Sequence, residues 1–387
     1  MEKTLFLFTD SFPYGNSEQY LNQEFELLAK KFDSIYVIPI NVFKEKRIGF
    51  ESVNIIDLRK EMKVSKLKFL SNIFSYVSYL IKAKSSFSFN DFKSIHHAWM
   101  ASDYLFNFIN QRRINLANTT VYSYWFYHGA LISSFLKKKA PSIRTVSRGH
   151  MGDIYNEIKP LNFPILKLDG LDYLLTISDH ARKYISDMFP EYLNKVFVSR
   201  LGVEDVGSNP KIENKTSYTI VTCSTVTKRK RIDKIAEAIK LLNKNITWVH
   251  FGDGDQMEKL RILVEDFPNN INVDLKGWVK NNEVLDFYRN HPVDLFINLS
   301  LQEGIPVSIM EAISFGIPVL AYDVYGLKEI INPINGVLLS VNVKSITKAI
   351  DETLNSSFLK EEIKQNWKEN YSAYENYSRF IEKFLLK

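Results

Sequence analysis

The sequence has almost no cysteine, no long apolar run and no clustered metal-binding side chains, and each shortage removes a class of protein. One cysteine, Cys223, among 387 residues forms no intramolecular disulfide, which excludes a disulfide-stapled scaffold. Met1 to Asp10 lacks the basic start, apolar core and small-residue cleavage site of a secretory signal, so the cytoplasmic side is the default expectation. The longest uncharged apolar-leaning stretch of the first half, Phe69 to Ile81, spans 13 residues, short of the ~20 that a membrane-spanning helix needs. Histidines are few. His96 and His97 share no ligand spacing with an acidic cluster, and no D-x-D pair ends a strand in the usual context, so no metal is expected. Low-complexity tracts and internal repeats are absent.

Hydrophobic residues make up 45% and charged residues 24% of the chain, the balance of a globular protein, and the length suffices for two or three domains with their own cores. Lysine and arginine number 50 against 44 aspartates and glutamates, and the net charge of +6 suits phosphates, anionic lipid or nucleic acid without choosing among them. The aromatics argue against nucleic acid, because the 27 Phe and 20 Tyr fall mostly in strand-like apolar runs and are not interleaved with arginine. Around Phe69 to Ile81, the lysines Lys60, Lys63, Lys66, Lys68, Lys82 and Lys84 flank a helical stripe of Phe69, Ile73, Phe74, Val77 and Leu80. Two readings stay open: an amphipathic helix packed on its own domain with a lysine-rich solvent face, or one lying on an anionic membrane surface.

Short β-rich runs alternate with longer helical patterns, at residues 4–9, 34–40, 119–125, 144–150 and 173–178. The alternation starts again after the polar break 213–217, in YTIVTCS, ITWVHFGDG, INVDLKGW, DLFINLS and PVLAYD. This predicts two doubly wound α/β domains, about 1–206 and 207–370, with a final helix, 371–387, packing back across the first. In such sheets ligands sit at the carboxyl ends of the strands, so the expected site is a cleft between two Rossmann-like halves.

Residues 300–321, SLQEGIPVSIMEAISFGIPVLA, carry the strongest signal. They read as a strand end, a loop with Glu303 and Gly304, a helix opened by Pro306, and a stop at Gly316 before Pro318. The backbone amides from Gly304 through Ile305, Pro306 and Val307 to Ser308 span a loop and helix start suited to a diphosphate. Pro306 itself brings no N–H. Glu303 and Glu311 flank that stretch; beside an anion site they make poor phosphate ligands and good acceptors for sugar hydroxyls.

This string, with its E-x7-E spacing, resembles the retaining glycosyltransferases of family four, which have the two-Rossmann GT-B architecture. The likeness extends to K-R-x-D at Lys230 to Asp233, G-x-G at Gly252 and Gly254, G-W-V at Gly277, Trp278 and Val279, and the stretch 323–331. FPYGNSEQYLNQE, SRGHMGDIY and VSRLGV in the first half are similar to a subgroup from bacterial capsule, O-antigen and exopolysaccharide clusters. The resemblance implies that Glu311 binds the ribose of a nucleotide sugar, Glu303 faces the donor sugar, the 304–308 backbone holds the diphosphate and Lys230 neutralises it. It implies no cofactor beyond the donor, a glycan or lipid-linked oligosaccharide acceptor, and retention by front-face attack. Relatives carry an arginine five positions before the lysine where this chain has Thr225; Arg229, within KRKR, is the candidate substitute, and a solvated loop is the plain alternative.

In the first domain His150 closes the SRGH strand, where the family has a histidine near the reacting sugar. Arg148 and Asp153 either pair with each other or bind acceptor, and His128 reads as a core histidine. Gly15 lies in a turn after the first strand, which either approaches a ligand or only leads into a Glu18 to Phe32 helix capped by Ser17. Three other functions compete with transfer. An epimerase would be expected to lack the 303–318 string, a phosphorylase needs a much longer chain, and a non-catalytic nucleotide-sugar or glycan-binding subunit draws support from Thr225 alone.

Overall fold

The strand-like runs build two all-parallel sheets in the computed structural model, which describes residues 2–15, 18, 20–43, 45–62, 66–83, 87–211, 215–341 and 345–386, with the backbone alone at 66–68. The first contains β1 (Thr4–Thr9), β2 (Ser34–Pro39), β3 (Asn54–Ile55), β4 (Thr119–Ser123), β5 (Arg144–Gly149), β6 (Tyr173–Thr176) and β7 (Val196–Val198), in the order β3-β2-β1-β4-β5-β6-β7. The second holds β8 (Tyr218–Cys223), β9 (Ile246–Phe251), β10 (Ile271–Gly277), β11 (Leu295–Asn298), β12 (Val319–Tyr322) and β13 (Gly336–Leu339), in the order β10-β9-β8-β11-β12-β13. In each sheet the strand order reverses once, between β1 and β4 and between β8 and β11. Loops leaving neighbouring strands on opposite sides open a crevice there.

The chain divides into a first unit of residues 1–200 with 377–387 and a second of 201–376. The divide falls at Arg200, ahead of the expected 206, because Val203 already pairs with the exit segment of the second unit: it bridges Ser372 and exchanges backbone bonds with Tyr371 and Ala373. The return to the first unit begins at Tyr377. From there Phe380, Ile381, Phe384 and Leu385 are buried against Leu5, Val37 and Tyr122 on one face of the first sheet. A second cluster, around Phe6, Leu105 and Phe135, covers the other face. Both faces being covered explains why these strands read as unbroken apolar runs. Edge strands β3, β7 and β13 escaped the pattern because two to four residues are too few to show a period.

Two helices depart from expectation. The first-unit helix runs Leu21–Ala29, because Glu18 sits outside it at φ 57° with its carboxylate turned back onto backbone amides; Ser17 lies outside the described residues. The apolar stretch forms helices Lys66–Ser71 and Ile73–Lys82. Tyr76 and Leu80 pack inward, while Leu70, Phe74 and Ile81 stay 66%, 87% and 62% exposed, so the outward face is apolar and not simply lysine-rich. Lys63 and Lys84, and the side chains of Lys66 and Lys68, lie outside the described residues. Lys60 is exposed and Lys82 pairs with Asp169.

Candidate active site

The crevice of the second sheet is built from the loops that follow β8 and β11. Lys230 ends the first loop and Glu303 lies in the second; their side chains form an ion pair and are largely buried. The loops are stitched by Leu301 N–H donating to Arg229 O at 3.1 Å and Arg229 Nη1 donating to Gln302 O at 2.8 Å. The basic run therefore fastens one loop to the other, and Arg229 spends part of its guanidinium on a carbonyl. Thr225 is exposed.

Beyond Glu303 the chain turns into the helix Val307–Ser314, with Pro306 as its cap. The amides of Gly304, Ile305, Val307 and Ser308 meet no acceptor among the described residues, whereas those of Ile309 and Met310 bond to Pro306 O. Four open donors at a helix start favour an anion. Glu311, on that helix, is buried, and its carboxyl is pushed up to about 7 by burial, opposed by a hydrogen bond from Asn281 Nδ2 at 2.8 Å. Beside it, burial raises the Cys223 thiol to about 12, which keeps it neutral.

The glycine motifs act through backbone packing. A Cβ on Gly252, at φ 138°, would stand 1.8 Å from Ser224 O, so the G-x-G loop lies flush against the loop that carries Lys230. Val226 N–H donates to Asp253 O, and Gln256 N–H to Val226 O, both at 3.0 Å. Gly277 takes φ 67° at the end of β10 and leaves Trp278 59% exposed; Val279 follows, half-buried.

In the first unit His150 follows β5, and its ring lies against Trp125 (centroids 4.3 Å apart) and Tyr124 (4.9 Å). Both its ring nitrogens are buried without a partner among the described residues, and burial with the nearby Arg148 holds it neutral. Arg148 and Asp153 do not pair. Arg148 forms a fully buried ion pair with Glu24, which also accepts from Tyr122 Oη at 2.9 Å. Asp153 accepts from the backbone N–H groups of Phe126 and His150, one on each oxygen. Such spent groups have little left for an acceptor.

Where β1 and β4 end, a cavity of about 270 Å³ is lined by Asp10, Trp125, Tyr127, His128, Asp153 and Lys159, among others. His128 is bonded through Nε2 to His97 Nδ1 at 2.8 Å, and burial lowers it to about 3. The Gly15 turn, at φ 60°, offers its carbonyl to Arg47 Nε at 2.7 Å. Glu18 accepts from the amides of Asp10, Ser11 and Phe12, and from Trp125 Nε1.

Residues 207–371 match the family model described as "Glycosyl transferases group 1". The chain carries a group 1 glycosyltransferase domain. Across its length it has the GT-B fold: it superposes on the lipopolysaccharide outer core galactosyltransferase WaaB, apo form, with TM-score 0.73 at 15% identity, covering 98% of this chain and 99% of that one. The GtfA subunit of a Streptococcus agalactiae UDP-N-acetylglucosamine–peptide N-acetylglucosaminyltransferase is 29% identical over 181 residues, 44% of this chain and 34% of that protein. The Escherichia coli O-antigen biosynthesis glycosyltransferase WbnH is 31% identical over 175 residues, 43% of this chain and 48% of its own. The chain thus spans about a third of the first of these curated relatives and about half of the second.

Within the glycosyltransferase domain, sequence reasoning named Lys230, Glu303 and Glu311 but not Asn281, a polar residue at a helix start with no motif of its own. In the first unit it missed Glu18, Glu24 and Trp125. Nothing local distinguishes these from the chain's other acids and aromatics.

Proposed function

We propose that the chain transfers a sugar from a nucleoside-diphosphate sugar, with retention, to a glycan acceptor, lipid-linked, in the assembly of a bacterial surface polysaccharide. The observation that carries this reading is the pairing of Lys230 with Glu303 beside four open amides, at the reversal point of the second sheet. Diphosphate would lie on the amides, ribose against Glu311, and the donor sugar toward Glu303. As the bond from the anomeric carbon to the phosphate oxygen breaks, that oxygen gains charge, which Lys230 and the amides stabilise. The acceptor hydroxyl attacks the same face and its proton passes to the leaving phosphate. The cavity of the first unit has aromatic walls, Trp125 and Tyr127, and a carboxylate, Asp10, that suit an acceptor sugar, and His150 is the group we assign to orienting the reacting sugars.

A thermal-shift screen against UDP, GDP, ADP, TDP and CMP, with and without magnesium, tests the donor assignment, since a ligand that binds only the native state raises the melting temperature. One nucleoside diphosphate is expected to stabilise the protein without metal. Glu311→Ala is expected to lose most of that shift, and His150→Ala to keep it while turnover falls by about 10²-fold, the scale of a lost orienting or proton-handling group. Stabilisation by free glycans and by no nucleotide would favour the binding-subunit reading.

No helix among the described residues is long and apolar enough to cross a membrane. We assign the exposed Leu70, Phe74 and Ile81, with the lysines that flank them in the sequence, to peripheral contact with an anionic membrane on the cytoplasmic side. Phe74→Asp is expected to weaken sedimentation with phosphatidylglycerol vesicles by about tenfold or more, from the apolar area no longer buried. Undiminished binding would refute the assignment.

A further inference from the structure

We propose, on the donor-site reading of the second unit, that Asn281 is a positioning residue for the nucleotide: its side-chain amide fixes Glu311 and holds that carboxylate in the charged form that accepts a ribose diol. Asn281 opens the helix Asn281–Asn290, directly after the Gly277–Trp278–Val279 turn, and its Nδ2 donates to Glu311 Oε1 at 2.8 Å. Glu311 Oε2 has no partner among the described residues and is not sealed from solvent. One oxygen is thereby anchored and the other left to a ligand.

A carboxylate accepts hydrogen bonds on both oxygens only when ionised; once protonated it becomes a donor on one of them. Glu311 is buried, and burial drives it towards the neutral acid. The other ionisable groups that sense its charge do not counter this. Cys223, at the end of β8, and Tyr288, on the helix of Asn281, are both held neutral by burial, and each is pushed further from ionising by Glu311. The lysine of this crevice, Lys230, pairs with Glu303 and is not among the groups that shift Glu311. Among the described residues, the Asn281 amide is therefore the group that favours the anion. Its position also ties the 277–279 turn to Glu311, so that one segment sets the carboxylate and passes beside the nucleotide.

The test is calorimetric titration of the intact chain with UDP, GDP and ADP in turn from pH 5.5 to 8.5, for the native protein, Asn281→Ala, Asn281→Asp and Glu311→Gln. Native affinity is expected to rise with pH through a midpoint near 7, where Glu311 ionises. Asn281→Ala is expected to move that midpoint up by about one pH unit, the scale of a hydrogen bond to a charged group. Affinity near neutrality would then drop by about three- to tenfold and recover at pH 8.5. In Asn281→Asp a second carboxylate faces Glu311, and the midpoint is expected to move further in the same direction. Asn281 is exposed, and the backbone bond from Lys280 to Glu283 Oε1 that caps the helix stays in place, so the variants are expected to keep the native melting temperature. An Asn281→Ala protein with native affinity and midpoint, while Glu311→Gln binds weakly, overturns the role of Asn281 and spares the donor site. A loss equal at every pH overturns it too, since the amide would then not act through ionisation. Failure of the native protein to bind any of the three nucleotides brings down the donor-site reading itself, and this role with it.

Discussion

Lys230→Ala is expected to lower turnover by about 10²- to 10³-fold, the usual cost of removing one preorganised group from developing negative charge. Charge on the departing diphosphate is larger in the transition state than in the bound donor, so the loss should fall on turnover more than on donor KM. Two features of the crevice sharpen the expectation. Lys230 is largely buried, so solvent screens it little. It is also paired with Glu303, so its removal leaves a mostly buried carboxylate without its counter-charge, next to the amides of Gly304 to Ser308. A repelled diphosphate would then add to the loss of stabilisation. Affinity for a nucleoside diphosphate should fall while affinity for the bare nucleoside holds, and the two titrations separate a phosphate role from a collapsed loop. Lys230→Arg is expected to recover part of the turnover, because the charge is kept and the fit is not. A variant that turns over at the native rate would remove Lys230 from the mechanism.

Glu24→Ala is expected to destabilise the first unit by roughly 3–5 kcal/mol, because it strands the Arg148 guanidinium in the interior. Both side chains of this ion pair are fully buried. The guanidinium lies 4.3 Å from the Phe380 ring centre and is also packed against Tyr122, Tyr124 and Tyr377. At about 2–4 °C per kcal/mol for a domain of this size, the first-unit transition should drop by about 6–20 °C. Removing both charges together, as Glu24→Leu with Arg148→Met, is expected to restore most of the loss, since buried pairs are often replaceable by apolar groups of similar volume. Thermal unfolding of the native protein and these two variants decides it. A Glu24→Ala protein as stable as the native one would show that water reaches the pair. Because Phe380 belongs to the returning C-terminal segment, the same buried charge helps hold that segment against the first sheet.

Short-range signals in the sequence carried a good deal. Apolar runs with glycine and proline punctuation are local, and they marked the α/β class, ten of the strands and the strand-loop-helix unit around Glu303. The likeness of 300–321 to glycosyltransferases agrees with the match over 207–371. The loop-and-helix unit at these positions was legible because it depends on residue type and spacing over a few positions.

What the sequence could not assign was how each polar side chain is spent. Arg148 and Asp153, five residues apart, looked like partners. The fold instead sends Arg148 to Glu24, 124 positions away, and turns Asp153 onto two backbone amides. Glu18 looked like the start of a helix and became the acceptor for a loop and for the Trp125 indole, 107 positions on. Asn281 had no motif and ended on Glu311. The sequence by itself determined the two parallel sheets and the loop most rich in chemistry, because periodicity and turn residues act over a few positions. Only the tertiary structure decided which charges are buried, paired or left open, because those outcomes depend on which distant strands and helices exclude water around them.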